Sequence, residues 1–110
     1  ASAGGLQVLT KDNHWLDVLP GEEEIVVNVG DMLQRLTNNH LKSTTHRVVN
    51  PPKNEWHVPR LSIPFFLHPR SEMELNCLES CITATNPLHY DPITAGEYLD
   101  ERLREIGLKK

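Results

Sequence analysis

The chain has 110 residues, 38% hydrophobic and 24% charged, with a formal net charge of −4. That suffices for one domain with a modest core and excludes pervasive disorder. Lys and Arg are scattered with no basic, aromatic-interleaved stripe, and no apolar run reaches membrane-span length, so neither nucleic acid nor membrane is an expected partner.

The start, Ala1 to Gly5, carries no initiating Met and leads straight into Leu6-Gln7-Val8-Leu9, which suggests the middle of a protein. Leu6 to Thr10 reads as a short strand, Lys11-Asp12-Asn13 as a turn, and His14 to Val18 as the returning strand of a hairpin. Pro20-Gly21 and Glu22 to Glu24 form a turn and a solvated acidic face. Ile25 to Val29 is almost continuously apolar and predicts a buried strand. Asp31 with Gln34 three residues later fits a capping box for a short helix, with Met32, Leu33 and Leu36 on one face. Thr37-Asn38-Asn39 ends it in a turn.

Thr44 to Leu67 reads as two strands joined by a Pro- and Asn-bearing connection. Period-two alternation puts His46 on a face with Thr44 and Val48, and Arg60 and Ser62 on a face with Pro64 and Phe66. A neutral imidazole can take a divalent metal, and a guanidinium with a neighbouring hydroxyl suits a carboxylate. The plainer alternatives are a half-buried strand histidine, a snorkelling strand-end arginine and a core phenylalanine at position 66.

Ser71 to Cys81 reads as an irregular helix, which would put Cys77 and Cys81 on one face as small core residues; an isolated Cys-x-x-x-Cys is a weak zinc signal. The final helix is the clearest element. Thr94 and Glu97 make a capping box, Ile93 and Tyr98 stand at staple positions, and Gly107 stops the helix. Leu99, Leu103 and Ile106 would be its buried stripe, with Asp100 and Arg104 paired on another face. Short strands followed by a helix predict an antiparallel sandwich or barrel, although the strands number only about half of the usual eight.

Gly-Gly-Leu-Gln-Val at 4–8, Asn28-Val29-Gly30-Asp31, His46-Arg47-Val48, Arg60-Leu61-Ser62-Ile63-Pro64 and the tail from Pro92 to Leu99 together resemble the C-terminal half of the iron(II)/2-oxoglutarate-dependent dioxygenases, in the isopenicillin N synthase-like branch. The resemblance covers essentially the whole chain. It implies an all-β double-stranded β-helix (jelly roll), here a partial one, with jelly-roll strands over 1–70 and a C-terminal helical extension over 71–110. It also implies Fe(II) as cofactor, 2-oxoglutarate as co-substrate, ascorbate as a reductant, and hydroxylation or desaturation of a small organic substrate with release of succinate and CO2. By the same resemblance His46 corresponds to an iron ligand, and Arg60 and Ser62 hold the far carboxylate of 2-oxoglutarate; Phe66, which continues the face of Arg60 and Ser62, is a candidate to border a substrate space.

The family's His-x-Asp pair precedes the Gly-Gly-Leu-Gln segment, and this chain begins at that segment. His89-Tyr90-Asp91 has the right spelling in the wrong place, and His14 with Asp17 has the wrong spacing. The expectation is therefore a piece of an oxygenase, inactive alone, whose N-terminal portion completes the fold and site. With no targeting signal, the cytoplasm is the default location. The rival readings are a non-catalytic jelly-roll module that binds a small carboxylate or serves assembly, and a hydrolytic metal site using His46, His40 and Cys77.

Overall fold

The computed structural model describes residues 4–110. The chain divides into two compact units, one formed by 1–28 and 44–65, the other by 29–43 and 66–110.

The first unit is built on a three-stranded antiparallel sheet in the order β2-β1-β3, with β1 at Leu6–Leu9, β2 at Trp15–Asp17 and β3 at His46–Val48. The expected hairpin joins β1 to β2. Thr10 N donates to His14 O at 2.8 Å, and Asn13 closes the turn at φ 60°, a left-handed conformation that asparagine tolerates. Gln7 stands opposite both Asp17 and Arg47, so these side chains share a face. Gln7 Nε2 donates to Asp17 Oδ1 and Arg47 Nε donates to Gln7 Oε1, each at 2.9 Å, and the Arg47 guanidinium lies 3.9 Å from the Trp15 ring centroid. A polar ladder thus ties the three strands together on one face. Alternation sends Val8 and its partners Leu16 and His46 to the other.

Two expected strands do not form. Within 25–29, Ile25 and Val27 are 89% and 87% exposed instead of buried, and the segment has no ladder partner among the described residues. The segment from Arg60 to Leu67 is likewise outside any strand, with Phe65 and Leu67 88% and 89% exposed. An apolar run becomes a strand only when a neighbouring edge accepts its backbone groups, and Pro59 and Pro64 bring no N–H to such a ladder.

The second unit contains α1 at Asp31–Leu36 and α2 at Ala95–Glu105. Its core is Leu75, Ala95 and Tyr98, with Met32 and Ile93 packed against them. The cap of α1 differs from the expected box: Gly30 is the N-cap, no side chain caps the helix, and Asp31 lies within its first turn. There a carboxylate is favoured by the helix dipole without acting as a cap. The cap of α2 is as expected, with Glu97 N donating to Thr94 Oγ1 at 3.2 Å and Thr94 N donating to Glu97 Oε2 at 2.9 Å. The buried face of α2, however, is Ala95 and Tyr98, while Leu99 and Ile106 are exposed. Asp100 takes its hydrogen bond from Lys109 Nζ instead of Arg104.

No α-helix covers Ser71 to Cys81. The chain there pairs in extended form against the start of α2, through Leu75 N to Ile93 O and Ala95 N to Met73 O at 2.8 Å each, and ends in a single 3-10 turn at Glu79–Cys81. Cys77 and Cys81 are half-buried free thiols that share no α-helical face. What orders this region is Asn38, 0% exposed and left-handed at φ 48°. Its Nδ2 donates to the carbonyls of Cys81, Asn86 and Pro87, and its Oδ1 accepts from His89 N at 2.9 Å. One buried amide thereby adds partners to a loop whose own backbone pairing is the short Thr83–Asn86 bridge.

No helix among the described residues is long and apolar enough to cross a membrane.

Candidate functional site

His46 begins β3 opposite Val8, and its side chain is exposed. Its Nδ1 lies 3.1 Å from the carbonyl oxygen of Thr44. A carbonyl can only accept, so Nδ1 carries the proton and Nε2 presents its lone pair. In that tautomer a divalent metal can bind at Nε2, with a backbone oxygen fixing the ring from behind.

Arg60 lies in the same unit, half-buried, and donates from Nε to the carbonyl oxygen of Gly4 at 2.9 Å. This anchors one side of the guanidinium and turns the planar fork of terminal nitrogens into the group's remaining donors, the geometry that meets a carboxylate with two parallel hydrogen bonds. Ser62, two residues on, is exposed. The chain around Gly4 and Gly5 joins these parts. Val49, just past β3, donates from its N to Gly5 O at 2.9 Å, so the same glycine pair that anchors Arg60 also extends the pairing of β1 with the strand that bears His46.

Of the four residues singled out from the sequence, His46, Arg60 and Ser62 thus belong to the sheet unit, and Phe66 belongs to the second unit, where its ring lies 5.8 Å from that of His68. Two shallow, open surface hollows also lie in the second unit, one beside Pro69, Arg70, Glu72 and Met73, the other beside Glu74, Ile93 and Glu97. His46, Arg60 and Ser62 line neither.

Among the described residues no group of three or more His, Cys, Asp or Glu side chains converges as a metal cage. The hydrolytic grouping of His46, His40 and Cys77 therefore has no structural support, and the Cys77 thiol is engaged with Arg35 O at 3.2 Å. His89 does not act as half of a His-x-Asp pair: its Nε2 is 3.0 Å from Asn86 Oδ1 in the loop that Asn38 orders. The donor chemistry fits iron(II) at one position, the free Nε2 of His46, and no second ligand accompanies it among the described residues.

Gly5 is a part of this site that sequence reasoning misses. Its φ of 109° and the 2.8 Å that would separate an added Cβ from Val49 O make glycine obligatory there. The available signal is the glycine doublet placed directly before a strand.

Residues 1–69 match the model of the 2OG-Fe(II) oxygenase superfamily, and the chain belongs to that family. Among solved structures it is similar to a protein of the 2OG-Fe(II) oxygenase family from Caulobacter crescentus, at 56% identity and a TM-score of 0.88, over 94% of this chain and 34% of that one. It is also similar to a full-length Neurospora crassa protein solved in complex with alpha-KG, at 41% identity and a TM-score of 0.84, over 94% of this chain and 35% of that one. Among curated relatives, a 2-oxoglutarate-Fe(II) type oxidoreductase, hxnY, from Emericella nidulans is 42% identical over 91 residues, which are 82% of this chain and 25% of hxnY. The chain spans about a quarter of the length of the curated relatives it matches.

Proposed function

We propose that the chain is the C-terminal part of an Fe(II)- and 2-oxoglutarate-dependent dioxygenase domain, in which His46 supplies one iron ligand and Arg60 with Ser62 holds the distal carboxylate of 2-oxoglutarate. In this reading residues 1–70 are strands of a jelly roll and 71–110 a helical extension. Residues outside this chain supply the remaining ligands and the facing strands. The exposed apolar side chains at 25–27 and 61–67 support that reading, since facing strands would cover them.

The observation that carries the proposal is the pair of side chains held by backbone carbonyls on one sheet unit: His46 by Thr44, leaving Nε2 for a metal, and Arg60 by Gly4, leaving a fork for a carboxylate. Iron, when bound with 2-oxoglutarate and dioxygen, supplies the oxidising chemistry of the family, with succinate and CO2 as products. The work of this chain's residues is binding and orientation. The Thr44 carbonyl keeps the imidazole in the metal-binding tautomer, the fork of Arg60 neutralises and aligns the carboxylate, and the hydroxyl of Ser62 adds a donor to the same anion. Phe66 would border a small organic substrate, to be hydroxylated or desaturated.

Full-length protein should consume 2-oxoglutarate only with iron(II). His46→Ala should abolish this consumption, and Arg60→Leu should raise KM for 2-oxoglutarate by about two orders of magnitude, as expected for losing a charge-assisted bidentate contact. Unchanged ligand binding in both variants would instead mark a non-catalytic module.

A further inference from the structure

We propose that Gly4 and Gly5 form the positioning element for Arg60, and that they thereby select the chain length of the 2-oxo diacid; this rests on the proposed role of Arg60 as the carboxylate receptor. Three contacts meet at the glycine pair. Gly4 O accepts from Arg60 Nε at 2.9 Å, Gly5 O accepts from Val49 N at 2.9 Å, and a Cβ added to Gly5 would lie 2.8 Å from Val49 O and 3.9 Å from Arg60 Nε.

Space at Gly5 cannot be made cheaply. The obstructing atom is a backbone oxygen, and the Val49 peptide is itself tied to Gly5. The positive φ of 109° adds strain for any other residue. A side chain at position 5 must therefore push the Val49 strand away or rotate the peptide that carries Gly4 O. Either change releases the Arg60 fork from its fixed plane.

The same backbone sets the distance from the fork to the imidazole. Gly4 holds Arg60, and Val8, four residues along, stands opposite His46. The stretch between these anchors runs from the positive-φ Gly5 into β1, so hydrogen-bonded backbone links the carbonyl that holds Arg60 to the residue opposite His46. A rigid backbone of fixed length between the two binding groups acts as a ruler, admitting a diacid of one length between metal and fork and penalising one that is a methylene longer. Misplacing a binding group by about 1 Å can cost up to about a hundredfold.

The test is calorimetric titration of 2-oxoglutarate and of 2-oxoadipate, one methylene longer, into full-length protein loaded with manganese(II). Wild type should prefer 2-oxoglutarate. Gly5→Ala should reduce that preference about tenfold. Gly30→Ala, where an added Cβ meets nothing within 4 Å, should leave both titrations as in wild type. A Gly5→Ala protein that keeps the wild-type preference, even with weaker binding of both diacids, overturns the proposal. If Gly5→Ala does not fold, Arg60→Lys decides, because lysine keeps the charge but cannot donate to Gly4 O and present a planar fork together. Its preference should fall in the same way, and an unchanged preference overturns the proposal. Arg60→Leu separates the two levels of argument: undiminished 2-oxoglutarate binding there removes the carboxylate role itself, whereas an effect at Arg60 with none at Gly5 removes only the positioning role.

Discussion

Asn38 and Asn86 hold each other reciprocally: Asn86 Nδ2 donates to the backbone oxygen of Asn38 at 3.0 Å, and Asn38 Nδ2 donates to the backbone oxygen of Asn86 at 3.3 Å. Around this pair the loop from Cys81 to His89 gains the hydrogen bonds that a helix or sheet would otherwise give it. Asn38→Ala removes the buried amide and takes the side-chain partner from Pro87 O and His89 N, while Cys81 O keeps Asn86 Nδ2 and Asn86 O keeps Thr83 N, so the loss of stability should be about 3 kcal/mol. Asn38→Gly loses the same hydrogen bonds but suits the φ of 48° and should be less damaging than Ala by about 1 kcal/mol. Chemical denaturation of the two variants checks both values, and equal losses would show that backbone conformation contributes nothing.

Gly96 lies in the first turn of α2, where alanine would ordinarily gain about 1 kcal/mol in helix propensity. Here an added Cβ would meet Ser71 Cβ at 3.1 Å and Ser71 O at 3.3 Å, and Gly96 N already donates to that same oxygen at 3.0 Å. Crowding against a tied backbone should outweigh propensity, leaving Gly96→Ala destabilised by about 1 kcal/mol. A thermal melt showing a raised Tm would reverse that ranking.

Arg47 and Trp15 should be energetically coupled. The guanidinium sits 3.9 Å from the ring centroid and is steered there by Gln7. A double-mutant cycle with Arg47→Ala and Trp15→Leu should return a coupling of about 0.5–1 kcal/mol, typical of an exposed cation–π pair. Gln7→Ala should shrink it, because the arginine then loses its cross-strand partner.

The cap of α2 predicts an acid-sensitive helix. Hydrogen bonding from the Thr94 backbone N–H, then from its hydroxyl, holds the Glu97 carboxyl below its ordinary value of 4.5. With the folded value lowered, the stabilisation is fully present above the unfolded value and is lost as pH falls through the folded one. Helix content between about pH 6 and pH 3 should fall less steeply in Glu97→Gln than in wild type. Thr94→Ala, which removes the hydroxyl but keeps the backbone N–H that bonds Glu97, should cost about 1 kcal/mol near neutral pH and retain part of the acid dependence.

What can be foreseen from sequence follows the range of the forces involved. The Thr94–Glu97 box and the Lys11–Asn13 turn are decided within four residues, and both stand as expected. Ile25 to Val29 and Arg60 to Leu67 have the composition of strands, but a strand requires a paired edge, and neither segment joins a ladder among the described residues. Asn38 reads as an ordinary turn residue because its side-chain partners are 39 to 51 residues away. At the site, His46, Arg60 and Ser62 stand out only once ordered motifs suggest a family; alternation alone leaves each with a plainer explanation. Gly5 escapes notice because its constraint, Val49 O, lies across the sheet.

The interleaving of the two compact units limits how the molecule can be dissected. The polypeptide passes from one to the other after residues 28, 43 and 65, so no single scissile point releases either with all of its segments. A limited-proteolysis map should accordingly yield nicked species that stay associated rather than two separable halves, and a subdomain intended for expression would require rewired connections.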